Sequence, residues 1–196
     1  MITFIFDQLI QLGIERILIN THHCPDRYAE IFPDSRYKGL PLLFRHEPEL
    51  LETGGGIKNI EDLADTSSPL LVYNGDIFST LPLEHLVAHH FHSSNEVTLA
   101  LRSHGEPRNV QLGGNGLILD LRHTLGLTEG LPCLFTGIYL LEPRFFQRLD
   151  SRNKESVIET FLRMILAGIP PGGIILDEGT WSDIGTHEEY ERIQST

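Results

Sequence analysis

Residues 70–76 read Leu-Leu-Val-Tyr-Asn-Gly-Asp. Four consecutive apolar residues describe a short strand covered on both faces, because a half-exposed strand would alternate apolar and polar. Working outward, Val97–Arg102 reads as another strand, reached through a helix at Leu83–His92. Upstream, Ile2, Ile5, Phe6, Leu9 and Ile10 follow helical spacing, with Gly13 placed to stop the helix. A strand at Ile14–Asn20, a helix at Pro25–Phe32, a strand at Leu40–Arg45 and a helix at Gly56–Ala64 follow. This alternation predicts an α/β domain with helices on both faces of a mostly parallel sheet.

The second half is less regular. Asn109–Leu112 and Leu117–Leu121 flank Gly113-Gly114-Asn115-Gly116, a hairpin signal. Cys133–Leu141 and Gly173–Asp177 read as strands, and Arg144–Leu149, Glu155–Ala167 and His187–Ile193 as helices. No repeat, low-complexity tract or long linker divides the chain, so residues 1–196 are expected to form a single domain. One departure stands out. Doubly wound folds begin with the central strand that feeds the phosphate-binding loop, whereas this chain begins with a helix, as if that strand and loop were missing.

The net charge of −12 argues against nucleic acid and against an anionic membrane surface as partners. Cys24 and Cys133 lie far apart and outside CxxC spacing, which fits a reducing cytoplasmic setting. The N-terminus lacks the basic region of a signal peptide, and no apolar run approaches the ~20 residues of a membrane span. An acidic protein that handles anionic substrates needs a cation between the two.

Three stretches could carry chemistry. In Glu52-Thr53-Gly54-Gly55-Gly56 the glycines allow close backbone approach to a ligand, with the following N–H groups pointing at it. The bland alternative is a flexible turn before a helix. Asp76 ends the apolar strand, where ligands of open α/β sheets bind, and Asp suits Mg²⁺ when phosphates supply further oxygens. A turn-capping Asp would look the same. In Trp181-Ser182-Asp183-Ile184-Gly185-Thr186, Thr186 and Glu189 are explained by a capping box, but Asp183 lies before it. Two such acids could share one divalent cation. His89 and His92, at i and i+3, have no third ligand nearby and read as a solvated helix face, and His22-His23-Cys24 as an ordinary loop.

Taken in order, ELLETGGGIKN, LVYNGDIF, LFTGIYLLEPRFF, the IETFLRMILAG helix and WSDIGTHEEY resemble the sugar-phosphate nucleotidyltransferase family, on its mannose, heptose and N-acetylmuramate branch. The resemblance covers nearly the whole chain. It implies a three-layer Rossmann-like sandwich with a mixed, mostly parallel sheet. It implies transfer of a nucleotidyl group from an NTP, GTP or UTP, to a sugar 1-phosphate, with release of pyrophosphate. It also implies Asp76 and Asp183 as the catalytic Mg²⁺ ligands, Glu52, Thr53, Gly54, Gly55 and Gly56 against the nucleoside, and Thr136 and Gly137 at the sugar. Homo-oligomerisation is left open. The sequence departs from the family pattern in lacking an L-A-A-G-x-G-T-R segment and a P-K-P lysine, so weak NTP binding and little turnover are expected. The E-K-P-type lysine that some relatives carry between the hairpin and the TGIY strand is also absent, and Leu121-Arg122-His123 has no clear equivalent. The alternative is a non-catalytic remnant serving as a binding or oligomerising subunit.

Overall fold

The computed structural model describes residues 2–150 and 154–185. Helix α1 (Ile2–Gln11) buries Ile5, Phe6 and Leu9, the stripe its spacing predicts. Then come β1 (Ile17–Thr21), α2 (Pro25–Ile31), β2 (Arg36–Tyr37), β3 (Leu40–His46), α3 (Glu52–Asn59), β4 (Leu70–Tyr73) and β5 (Ile77–Ser79). The second half supplies α4 (Leu83–His92), β6 (Val97–Arg102), β7 (Val110–Leu112), β8 (Ile118–Leu121) and β9 (Leu131–Leu141). A 3₁₀ turn at Pro143–Arg148 leads to α5 (Val157–Leu166), β10 (Gly172–Ile175) and β11 (Trp181–Asp183). The terminal helix expected at His187–Ile193, and the Thr186–Glu189 box, lie outside the described residues.

The architecture is α/β in three layers. In β6, Val97, Leu99 and Leu101 face the cluster built on α5, while Ala100 faces the cluster built on α4. All six β6 residues are buried. That two-sided cover explains why the segment tolerates no exposed polar alternation. Strands run in the order β10-β6-β9-β7-β8, with β4 on β9. A separate sheet, β1-β3-β2, packs with α1.

Two expectations are corrected. The sheet is mixed, but among the described ladders only β1·β3 and β10·β6 are parallel. The long strand β9 runs antiparallel to β4, β6 and β7, so the second half is antiparallel in character. The Leu70–Tyr73 strand is where it was predicted, yet each of its four residues is only partly buried. It pairs with β9 on one edge and has no other strand partner among the described residues.

Candidate active site

The acids converge because two very short strands pair. In the β5–β11 ladder Ile77 faces Asp183, Phe78 faces Ser182 and Ser79 faces Trp181, all antiparallel. The Ile184 N–H donates to the Asp76 carbonyl at 2.8 Å, fixing the register at the acidic end. Around the other end, the Thr80 N–H donates to the Thr180 carbonyl at 2.9 Å and the Thr180 N–H to Thr80 Oγ1 at 2.8 Å. The connection from β10 is held to β6 as well. Ser103 donates its N–H and its hydroxyl to the Asp177 carboxylate at 2.9 and 2.6 Å, and the buried Arg102 guanidinium donates to the Asp177 carbonyl at 3.3 Å.

Gly185 measures how close the two carboxylates come. A methyl group added there would sit 3.1 Å from Asp183 Oδ1 and 3.7 Å from Asp76 Oδ2, so one point touches both acids. The pair is felt electrostatically. Asp76 keeps an exposed edge, but desolvation of its carboxyl raises its pKa above the ordinary value, and the Asp183 charge raises it further. Both acids line a cavity of about 230 Å³. Two carboxylates that crowd one another beside open space suit a divalent cation whose remaining ligands come from substrate oxygens. No group of three or more His, Cys, Asp or Glu that could hold a metal occurs among the described residues.

Thr136 and Gly137 line the same cavity, with Asn74 and Trp181. The pairing of β9 with β6 slips here, from Leu99↔Tyr139 to Leu101↔Phe135, so β9 bulges at the TGI stretch. Gly137 has φ +75°, and an added Cβ would meet Asn74 Nδ2 at 2.8 Å. The Thr136 hydroxyl donates to the Ala100 carbonyl at 2.8 Å, and the Thr136 carbonyl accepts the Trp181 indole N–H at 2.9 Å. Thr136 therefore shapes the cavity floor and ties β11 to β9, a dual role that its motif position did not reveal.

The glycine run is placed differently. It was expected to open a helix at Gly56, but α3 starts at Glu52 and carries all three glycines, buried, inside it. The Gly54 and Gly55 N–H groups donate to the Glu155 carbonyl at 2.8 and 3.1 Å. A Cβ at Gly54 would meet that carbonyl oxygen at 2.8 Å, and one at Gly56 would meet Asn20 Nδ2 at 2.6 Å. Close packing thus explains Gly54 and Gly56, while Glu52 and Thr53 remain exposed at the helix start. The run does not line the cavity that holds the acids.

Among the histidines, His90 is buried, its Nδ1 2.7 Å from Thr98 Oγ1, and His92 Nδ1 lies 2.6 Å from the Ala88 carbonyl. His22 Nδ1 lies 2.8 Å from the Glu47 carbonyl. Sequence reasoning assigned no role to Asn74, Asn109, Trp181 or Arg122, all of which line the cavity. For Trp181 and Asn74 the neighbouring acids were the signal available, while Arg122 carried none.

The chain thus combines a mixed α/β sheet with two acids that converge at strand ends beside a cavity. The fold is shared with the inositol-1-phosphate CTP transferase from T. maritima, with a TM-score of 0.76 at 12% identity over 96% of this chain and 77% of that one. The Nucleotidyl transferase family model matches residues 1–196, and the chain belongs to that family. It is 27% identical to mannose-1-phosphate guanylyltransferase of Mycobacterium tuberculosis, over 97% of this chain and 54% of that protein. It is 25% identical to D-glycero-alpha-D-manno-heptose 1-phosphate guanylyltransferase of Aneurinibacillus thermoaerophilus, over 97% of this chain and 82% of that protein. The chain spans about half the length of the first of these relatives. No helix among the described residues is long and apolar enough to cross a membrane.

Proposed function

We propose that this chain transfers a nucleotidyl group from an NTP to a sugar 1-phosphate, forming a nucleotide-sugar and pyrophosphate in the cytoplasm. The observation that carries this reading is the convergence of Asp76 and Asp183 on one point of a cavity that Thr136 and Gly137 also line. Guanylyltransferases among the relatives favour GTP, with UTP the other candidate.

Asp76 and Asp183 would hold Mg²⁺, which offsets negative charge on the reacting phosphates. The residues themselves do the following. Asp76 must be ionised to take part, and because its pKa is raised it is a weaker acid than an isolated carboxylate until a cation arrives. Gly137, at φ +75° with Asn74 packed where a side chain would stand, holds the bulge that shapes the cavity wall offered to the sugar. Of the glycine-run residues, only Glu52 and Thr53, exposed at the start of α3, are open to contact with a nucleoside. The nucleophile is an oxygen of the sugar phosphate. It bonds to the α-phosphorus as the bond to the β-phosphate oxygen breaks, and pyrophosphate leaves, so no covalent link to a side chain forms.

The test is pyrophosphate release from GTP and from UTP, with Mg²⁺ and a panel of sugar 1-phosphates. Release that requires both Mg²⁺ and a sugar 1-phosphate, and that falls by ~10²-fold or more in Asp183→Asn, is the expected result. Release is expected to be slow in a chain without the G-x-G-T-R segment, and no release with any pair, even once such a segment is added ahead of Met1, would overturn the assignment.

A further inference from the structure

Helix α2 buries none of its seven residues. A surface helix ordinarily hides one face, so a helix that hides none leaves space beneath it. That space is a cavity of about 200 Å³ between α2 and β3. It shares no lining residue with the cavity of the acids, and no residue of α3 lines it. Tyr28, Phe32 and Phe44 wall it, the Phe44 ring centroid standing 5.7 Å from that of Tyr28 and 6.5 Å from that of Phe32.

The polar groups of the lining are unspent. Thr21 and His46 form the last pair of the β1–β3 ladder. The Thr21 carbonyl can only accept, so His46 Nδ1, 3.2 Å away, carries the hydrogen, and the neutral ring offers Nε2 as an acceptor. His46 Nε2 and the hydroxyls of Thr21, Tyr28 and Ser35 bond nothing among the described residues. Water serves Tyr28, Ser35 and His46, which are half-buried or exposed. Thr21 is different, at 5% exposure. A buried hydroxyl without a partner is an exception in folded proteins, and here it borders an open space.

We propose that this cavity is a second ligand site, for an uncharged heteroaromatic ring that carries an N–H donor. Size supports this, since an apolar cavity of ~150 Å³ holds benzene, and about 200 Å³ leaves room for a fused second ring, as in indole or a purine base. The aromatic walls offer faces and edges to such a ring. His46 Nε2 takes its N–H, and the Thr21 hydroxyl bonds its polar edge. Charge supports it too. Among the described residues no lysine, arginine, aspartate or glutamate lines the cavity, so a carboxylate or an ammonium buried there would go unpaired.

The probes are indole, adenine and benzoate, titrated calorimetrically into wild type, Tyr28→Ala, His46→Ala and Thr21→Val. Indole or adenine should bind wild type with a Kd of roughly 10 μM to 1 mM, in keeping with so small a ligand. The one that binds more tightly tells whether the ring is of the indole or the nucleobase kind. Benzoate, a charged ring, should not bind. His46→Ala and Thr21→Val should each weaken the ring by about 3- to 10-fold, the loss of one neutral hydrogen bond. Thr21→Val should do so while the thermal midpoint without ligand holds or rises, a split that a merely structural hydroxyl would not show. GTP with Mg²⁺ should leave the ring in place. Failure of both indole and adenine to bind overturns the proposal. So does equal affinity in wild type, Tyr28→Ala and His46→Ala, or displacement of the ring by GTP, which would assign it to the nucleotide edge at α3. Benzoate binding as tightly as indole would overturn the uncharged assignment.

Discussion

Asp76 carries two opposed demands. Its carboxyl is partly desolvated and faces Asp183, so ionising it costs the fold free energy, yet a cation can be held only by the ionised form. The sign follows directly. A raised folded pKa means that metal-free protein gains stability as falling pH protonates the group, while Mg²⁺ affinity is lost over the same interval, above the usual carboxylate range. Asp76→Asn should therefore raise the thermal midpoint of the metal-free protein and lower Mg²⁺ affinity by at least ~10-fold. Calorimetric unfolding with and without Mg²⁺ checks both halves. A mutant that is less stable without metal would show that the carboxylate is a structural group.

Helix α3 shows how a ligand motif and a packing motif can share one spelling. Gly54 lies where the helix start meets the backbone before α5, and a Cβ there would press on the Glu155 carbonyl. Gly54→Ala should destabilise the protein by about 1–3 kcal/mol, since backbone cannot yield as a flexible side chain would. Urea unfolding checks this, and a loss of nucleotide binding at unchanged stability would contradict it. Regular elements were legible in the sequence: α4, β4 and β6 fall at their predicted bounds because each carries its own periodicity. Strands β5 and β11 were not, because three residues hold no period and their pairing is decided by partners far along the chain. The acids could be read from their motifs. Arg122 could not, since nothing in Leu121-Arg122-His123 announces a left-handed turn gathered around Asp120.

Across the molecule, hydrogen-bonded carboxylates set the response to acid. Partial burial pulls the Glu155 pKa upward, but hydrogen bonds from Arg163, the Asp150 N–H and Thr160 outweigh it and leave the group below its ordinary value. Asp177 is likewise lowered, burial again being outweighed by its two bonds from Ser103. Groups depressed in the folded state lend stability above the unfolded carboxylate range, ~4, and withdraw it as pH falls through their folded values. Stability should thus decline steeply below about pH 4. Glu155→Gln should lower the urea midpoint at pH 7 while flattening the decline between about pH 4 and 2. A parallel decline in mutant and wild type would place the acid-sensitive contacts elsewhere.

The β5–β11 ladder has a topological side. Thr80 and Thr180, 100 positions apart, hydrogen-bond at its end, so the ladder closes a loop containing β6 to β10. An ion gripping Asp76 and Asp183 would be a removable clasp on that loop, comparable in kind to a disulfide but set by ion concentration. The unfolded chain has no such grip, because the two acids then wander independently. Chelation strength would accordingly register whether the whole enclosed half is intact, and the fold would tighten or slacken with the supply of free cation around it.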